Sequence, residues 1–308
     1  MAIIKTTTHK WDETKQAYDE LYSKTNSEQV VDFSDAVKKI LTGNLTMEER
    51  YAIMNAEAPP GAPSHNCFYR GKDLTEYFAS GGMSEAIAAG NFEDIFIGDY
   101  IRKTVVIDGT EYKDVIWRVG DCDYNLGRGA TNPNTHHVLM VPDGNLGTAR
   151  MNASNTTAGA YQSSEMWTTT IPKYVTGITN AFGNDHVLEH KEILHNAMNA
   201  DAWSAIGNNW KGASYTDWSK TPWATVKVNI FNTMMMYGSG IGASWICDYS
   251  CNKQVSIFRM GQNFTTNYWC WLRDVTNATN FAIASNDGGA SASNASYSGG
   301  VRPYFLLH

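Results

Sequence analysis

Apolar residues in the first 90 positions recur at the intervals of amphipathic helices, with charged residues between them. Short helices are also predicted around Leu74 to Ala79 and Met83 to Ala89, each ending near a glycine. Gly61 to His65 is the predicted linker between the helices before and after it. The apolar positions of the first predicted helix are Trp11, Tyr18, Leu21 and Tyr22.

After Ile95 the pattern changes to short runs of β-branched and aromatic residues, which predict strands. Asp108-Gly109 separates two such runs and predicts a hairpin, because both residues tolerate positive φ. His136 to Pro142 is a further predicted strand, and a helix is predicted from Ser163 or Ser164 to Phe182, interrupted at Pro172. The alternation of Val226, Val228 and Ile230 with polar residues is typical of a half-buried strand.

The last forty residues combine strand-forming ends with a polar middle. Trp269 to Asp274, Phe281 to Ala284 and Gly300 to Leu307 are predicted strands. Residues 285–299 are Ser, Asn, Gly, Ala and Asp with one large side chain, Tyr297. Such a run cannot build a core, and strands hold both of its ends. The sequence therefore predicts an exposed binding loop mounted on a rigid scaffold.

These C-terminal residues carry a resemblance to a known family. Tyr268 to Val275, Phe281-Ala282 and Gly300 to Phe305 resemble the end of a C-type-lectin-fold domain. They are similar in particular to tailed-phage virion proteins of gut bacteria, some of which are variable proteins of diversity-generating retroelements. Further matching motifs upstream extend the similarity over roughly residues 90 to 308; they are Ile97 to Tyr100, Met151-Asn152, Tyr161 to Ser164 and Met236 to Ser239.

The resemblance implies an α+β protein with two parts. Residues 1–90 would form a helical N-terminal region for virion attachment or oligomerisation, and residues 91–308 a C-type-lectin-like domain. In that fold an early strand pairs with the last one, which would place Ile97 to Ile101 beside Val301 to Leu307. By analogy with related phage proteins, we expect a homotrimer located in the virion after synthesis in the bacterial cytoplasm.

The resemblance also implies which residues contact the ligand. Retroelements of this type alter adenines, most often in AAC or AAT codons, and the residues reachable from those codons include Tyr, Ser, Asp, Gly, Ile, Thr and Ala. Residues of that set lie between framework positions such as Trp271, Phe281 and Val301. Any surface loop is also rich in Asn, Ser and Gly, so composition alone leaves an ordinary loop open. The expected ligand-binding residues are Tyr249, Asn252, Asn267, Tyr268, Asn277, Thr279, Asn280, Ser285, Asn286, Asp287, Ser291, Ser293, Asn294, Ser296 and Tyr297.

The composition of the chain limits the classes of partner that it can bind. The chain has 308 residues and a net charge of -7, without the basic field that nucleic-acid binding requires. No apolar run approaches a membrane-spanning length, and residues 1–10 lack the apolar core of a signal peptide. Five cysteines without zinc-ribbon spacing indicate reduced thiols.

One motif suggests catalysis instead. His186-Val187-Leu188-Glu189-His190 matches the inverted zinc-protease pattern, in which two histidines share a helix face and the glutamate acts as general base. A third ligand is not evident, so surface histidines on a helix are the alternative. The calcium-binding tripeptides of sugar-binding lectins do not occur, and Asn286-Asp287 is too small a ligand set. We expect no metal, no cofactor and no catalytic residue.

Three functions follow. The first is a non-enzymatic virion protein that binds a bacterial surface receptor, either protein or glycan, and contacts other virion proteins. The second is a structural decoration or head-fibre protein without a specific ligand. The third is an enzyme, either a zinc-dependent hydrolase using His186, Glu189 and His190 or a relative of the formylglycine-generating enzymes using Cys247 and Cys251.

Overall fold

The computed structural model describes residues 8–12, 17–21, 46, 61–127, 134–158, 160–194, 223–239, 253–261 and 268–308. Contacts within the chain divide it into two compact units, Met1–Glu57 and Ala58–His308. The second unit therefore includes the helical residues just before position 91, which the sequence assigns to the N-terminal region.

In the first unit, strands β1 (Thr8–Asp12) and β2 (Ala17–Leu21) pair antiparallel, with Trp11 opposite Tyr18. The helix predicted here is wrong. Threonine and aromatic residues favour extended backbone, and so short a stretch is ambiguous by periodicity alone. Residues 22–60 of the predicted helical region, which include Tyr22, lie outside the described residues, with the exception of Thr46.

The second unit begins with three short helices: α1 (Ala62–His65), α2 (Thr75–Ala79) and α3 (Gly82–Ala88). The predictions of α2 and α3 are confirmed, but the predicted linker is wrong because its residues form α1. His65 is buried, with Nδ1 2.6 Å from the carbonyl oxygen of Ile95 and its ring stacked on Phe96 at 4.5 Å. These contacts join α1 to the segment that precedes the sheets.

The first sheet contains β3 (Tyr100–Ile107), β4 (Thr110–Cys122), β5 (Val138–Pro142), β9 (Val228–Ile230) and β14 (Pro303–Leu307). Its order is β3-β4-β5-β14-β9, and every neighbouring pair is antiparallel. The predicted hairpin between β3 and β4 is confirmed, with φ of 51° at Asp108 and 79° at Gly109.

The expected pairing of an early strand with the last strand is wrong. β14 lies between β5 and β9, whereas β3 is at the sheet edge and pairs with β4. Burial explains this order, because every residue of β5 and β14 is buried while β3 alternates with exposed positions. Strands that are apolar on both faces belong inside a sheet.

The second sheet contains β6 (Thr148–Ala149), β10 (Cys270–Val275), β11 (Asn280–Ala284), β12 (Ala290–Asn294) and β13 (Gly299–Gly300). Its order is β12-β11-β10-β13-β6, and β10 and β13 pair in parallel. A bulge between Trp271 and Val275 interrupts β10. A separate antiparallel pair consists of β7 (His190–Ile193) and β8 (Trp223–Val226).

Helix α4 (Ile171–Phe182) packs against β3 of the first sheet. A 3-10 turn at Tyr161–Ser163 and a π-helical turn at Met166–Thr170 precede it. Pro172 lies in the first turn of α4 and therefore begins this helix instead of interrupting it. Two short helices, α5 (Thr233–Tyr237) and α6 (Ser256–Arg259), follow. Across the described part of the chain, the helices are too short or too polar to cross a membrane.

A buried polar cluster connects the first sheet, the second sheet and the β7–β8 pair. Arg273 of β10 donates from Nη1 to Glu192 of β7 at 2.6 Å, and both side chains are almost fully buried. Tyr304 of β14 donates to the other carboxylate oxygen of Glu192, and His190 Nε2 lies 2.7 Å from that same oxygen. These contacts hold the first sheet, the second sheet and the β7–β8 pair together.

Two further side chains extend this cluster. Asn229 of β9 donates to Glu192 at 3.1 Å and accepts from the hydroxyl of Tyr161 at 2.7 Å. Asn229 is fully buried, so the expectation of a half-buried strand is wrong at this position. Burial alone would raise the pKa of the Glu192 carboxyl, but Arg273 and the hydrogen bonds from His190 and Tyr304 lower that pKa below its usual range.

Removing the charge of Glu192 should be costly because it leaves the Arg273 guanidinium buried without a counterion. Glu192→Gln should lower the free energy of unfolding by about 3–5 kcal/mol, measured by urea denaturation with tryptophan fluorescence. Glu165→Gln is the matched control, since Glu165 pairs with Arg150 at the surface and should contribute less than about 1 kcal/mol. Equal losses in the two variants would contradict the structural role of the cluster.

Candidate binding surface

The candidate surface is built on the β11–β12 hairpin at one edge of the second sheet. Residues 285–299 are predicted as a loop, but β12 occupies positions 290–294 and pairs along its whole length with β11. The loop prediction is therefore wrong for these five residues. Alanine and serine give no apolar alternation, so only the hydrogen bonds to β11 make the segment a strand.

The residues after β12 are fixed to the body of the domain. Ala295 is buried, and its N–H donates to the carbonyl of Thr279 at 2.9 Å. Its carbonyl accepts hydrogen bonds from the N–H groups of Met151 and Asn152, both at 2.9 Å. Main-chain contacts thus hold the chain in place where it leaves β12.

An aromatic stack supports the other end of the surface. The ring of Trp271 is fully buried and donates from Nε1 to the carbonyl of Ala149 at 2.8 Å. Trp269 packs edge-on against it at 4.9 Å between ring centroids, and Tyr268 lies on Trp269 at 5.4 Å. Tyr268 is 45% exposed and Tyr297 is 55% exposed. Both rings are therefore partly accessible to solvent, and the hydroxyl of Tyr268 also donates to the carbonyl of Ser298 at 3.3 Å.

The expected binding residues divide by exposure. Three of them, Tyr249, Asn252 and Asn267, lie outside the described residues. Five are partly buried; they are Asn280, Ser285, Ser293, Asn294 and Ser296. The remaining seven are exposed; they are Tyr268, Asn277, Thr279, Asn286, Asp287, Ser291 and Tyr297.

These residues do not share one face of the sheet. Ser291 lies opposite Ile283, and Ser293 lies opposite Phe281, so both serines are on the face that carries Trp271. Asn294 lies opposite Asn280 and projects from the other face. The described candidates surround the hairpin and its edge.

Some of the expected binding residues stabilise turns. Asn277 Oδ1 accepts hydrogen bonds from the N–H groups of Thr279 and Asn280, both at 2.9 Å. Asp287 Oδ1 accepts from the N–H of Gly289 at 3.0 Å in the turn between β11 and β12. By contrast, within the described residues the side chains of Asn286 and Ser291 make no hydrogen bond. Substitution of Asn286 or Ser291 therefore breaks no side-chain hydrogen bond within the described residues.

Two residues that support the surface are absent from the set predicted from sequence. Asn155 Oδ1 accepts from both the hydroxyl and the N–H of Ser296, at 2.5 and 3.2 Å. Asn145 Nδ2 donates to the carbonyl of Tyr268 at 3.0 Å. Both asparagines lie outside helices and strands, and they are separated from their partners by 141 and 123 positions. No local signal in the sequence reports such contacts.

The predicted zinc-protease helix is wrong. Gly183 ends α4, and His186 closes a 3-10 turn at Asn184–His186, after which the chain pairs with β14. His186 Nδ1 lies 3.1 Å from the carbonyl of His308, and His190 is buried against Glu192 on β7. The two histidines therefore do not share a helix face. The expectation of two surface histidines on a helix is also wrong, because His190 is buried.

Metal-binding and thiol chemistry require particular groupings of side chains. In the described part of the chain, no group of three His, Cys, Asp or Glu side chains is placed to hold a metal ion. Cys67, Cys122 and Cys270 carry free thiols, and the thiol pKa values of the two buried ones, Cys122 and Cys270, are raised by burial. Cys247 and Cys251, on which the formylglycine-type enzyme depends, lie outside the described residues.

The chain matches no protein-family model, no curated protein and no solved structure. The α+β class is established by the two five-stranded sheets and α4. The similarity to C-type-lectin-fold phage proteins stays a prediction.

The aromatic stack requires glycine at position 299. A Cβ atom there would overlap the ring of Trp269 and approach Nε1 of Trp271. Gly299→Ala should therefore lower the free energy of unfolding by about 1–3 kcal/mol, measured by urea denaturation. Gly144→Ala is the control, since its methyl group would meet no atom within 4 Å and should change stability by less than about 0.5 kcal/mol. A neutral Gly299→Ala would show that the stack is loosely packed.

Two exposed asparagines of the candidate set should respond differently to alanine. Asn277→Ala removes the acceptor of two main-chain N–H groups and should cost about 1–2 kcal/mol of stability. Asn286→Ala removes a side chain without hydrogen bonds within the described residues and should stay within about 0.5 kcal/mol of the wild type. Thermal and urea denaturation of both variants measure the difference. Equal losses of stability in the two variants would show that the hydrogen bonds of Asn277 do not stabilise its turn.

Proposed function

We propose that this chain is a non-enzymatic binding protein of a phage particle, with a C-type-lectin-like domain that contacts a bacterial surface receptor. The observation that carries the proposal is a contrast in burial. Asn286, Ser291 and Tyr297 are exposed, while Trp271 and Val301 on the neighbouring strands are fully buried. The exposed side chains that could contact a receptor are thus different from the buried side chains that stabilise the domain.

The chemistry of the exposed set fits recognition better than catalysis. Tyr268 and Tyr297 offer rigid amphipathic rings that lose little conformational entropy on binding, and serine and asparagine add adaptable hydrogen bonds. Antibody loops use the same combination. The retroelement part of the proposal comes from the resemblance. It is supported by Asn286 and Ser291, whose side chains make no hydrogen bond within the described residues and whose residue types are among those that adenine changes reach. The N-terminal region would attach the protein to the particle, and a homotrimer would add avidity to weak single contacts.

Binding to bacterial cells tests the proposal. Fluorescently labelled full chain is titrated onto a panel of gut-bacterial isolates, and at least one isolate should bind it saturably. On that isolate, Tyr297→Ala should weaken binding by about tenfold or more, as expected for an exposed aromatic anchor. Tyr69→Ala is the matched control because Tyr69 is 43% exposed on a different part of the domain, and it should leave binding unchanged.

Two outcomes would contradict the receptor-binding role. The first is that no isolate binds the protein. The second is that phage lacking residues 285–289 adsorb to their host at the wild-type rate, which would favour a decoration protein. The retroelement is tested separately by sequencing the DNA downstream of the gene. A near-copy of the 3′ end that differs mainly at adenines, followed by a reverse transcriptase gene, is the expected result.

A further inference from the structure

In the part of the chain that the structure describes, strand β12 forms an open edge of the second sheet. At the opposite end of that sheet, β6 is only two residues long. In the first sheet, the edge of β3 is covered by residues 72–75, where Tyr100 N–H donates to the carbonyl of Lys72 at 2.9 Å and Arg102 N–H donates to Thr75 Oγ1 at 2.9 Å. Among the described residues, no segment covers β12 in this way.

The hydrogen bonds at the two ends of the hairpin define which main-chain groups face outward. Ser285 N–H donates to the carbonyl of Gly289 at 2.8 Å, and Ala295 N–H donates to the carbonyl of Thr279 at 2.9 Å. Both are hydrogen-bonded pairs of an antiparallel ladder, and the register between them is unbroken. Such pairs alternate along the ladder, so every second residue of β12 bonds to β11.

By this alternation, Ser291 and Ser293 direct their N–H and C=O groups toward β11. The N–H and C=O groups of Ala290 and Ala292 point away from β11, toward the open edge. No hydrogen bond to these outward groups is formed within the described residues. The carbonyl of Asn294, by contrast, already accepts from the N–H of Tyr297 at 2.9 Å.

β12 also lacks the features that normally block strand addition. Its five residues carry no charge and no proline, and its pairing with β11 contains no bulge. The side chains beside the outward groups are the methyl groups of Ala290 and Ala292, which leave space for another main chain. The two outward residues are spaced about 7 Å apart, the repeat of an extended polypeptide.

We infer that the open edge of β12 binds an extended polypeptide segment of the receptor by strand addition, through the outward main-chain groups of Ala290 and Ala292. The inference rests on the proposed function, because it names the class of receptor that the same hairpin contacts. Main-chain hydrogen bonds supply affinity that does not depend on side-chain identity. The neighbouring side chains, including Ser291 and Ser293, then adjust specificity.

The size of the edge argues for a peptide segment in preference to a second copy of this chain. Stable interfaces between folded proteins bury about 800 Å² on each partner. A five-residue strand of alanine, serine and asparagine is too small to supply that area by itself. A single added strand needs only the main-chain contacts, and multiple copies on one particle would strengthen a weak individual contact.

Proline at position 292 tests the inference. Ala292→Pro removes an outward N–H and places a ring at the open edge, while the hydrogen bonds between β12 and β11 remain. Ala292→Ser is the matched control, since it keeps the N–H and a small side chain. The probe is a 12-residue peptide selected from a random display library on the immobilised full chain. Its affinity for each variant is measured by fluorescence anisotropy.

The selected peptide should bind Ala292→Pro at least tenfold more weakly than the wild type, and Ala292→Ser within about twofold. On the wild-type chain, the peptide should slow hydrogen exchange at the amides of Ala290 and Ala292, a readout that does not depend on how the proline variant folds. Equal binding to Ala292→Pro, or unchanged exchange at both amides, would overturn the inference.

The two proposals fail in different ways. If the chain binds bacterial cells and protease treatment of those cells leaves binding intact, the receptor is not a polypeptide and strand addition is wrong, while the proposed function stands. If the selected peptide binds at β12 as expected but no bacterial isolate binds the chain, β12 does accept an added strand, but the proposed function is wrong and so is the receptor as the source of that strand.

Discussion

The ion pair between Glu192 and Arg273 is the contact on which the second unit depends. The two side chains come from β7 and β10, and Tyr304 of β14 and Asn229 of β9 donate hydrogen bonds to the same carboxylate. Burying two charges is expensive, and the cost is offset only where geometry satisfies both of them. Hydrophobic packing alone is tolerant of small shifts between sheets. A buried ion pair is less tolerant, because separating Glu192 from Arg273 would leave two unpaired charges in the core, so this cluster fixes how the sheets meet.

The fixed arrangement of the sheets also determines which buried residues support the candidate surface. Trp271 stands two positions before Arg273 on β10, so the strand that carries the buried guanidinium also carries the base of the aromatic stack. Gly299 and Gly300 bring the chain close to Trp269, and Val301 then enters the core. Of the two hairpin strands, β11 contributes Phe281 and Ile283 to this core, whereas the outer strand β12 contributes little. The side chains of β12 are small and uncharged, and their replacement need not disturb the buried residues.

In and next to the hairpin, polar residues of similar type have different roles. Asn277 and Asp287 close turns by accepting hydrogen bonds from main-chain N–H groups, as asparagine and aspartate do in many turns. Ser291 and Asn286 face solvent without such bonds within the described residues. Composition cannot separate these groups, because the same residue types are favoured in turns and in adaptable binding surfaces. The hydrogen-bond partners separate them.

The sequence by itself determined the features that depend on local backbone preference. The Asp108-Gly109 hairpin, the strands at 138–142 and 270–275, and the end of α4 at Gly183 were all predictable from residue type and spacing. Only the tertiary structure decided that residues 290–294 form a strand, that His190 is buried beside Glu192, and that Asn155 holds Ser296. The last of these contacts joins segments 141 positions apart. Such pairings arise from how the sheets pack, and a local pattern does not encode them.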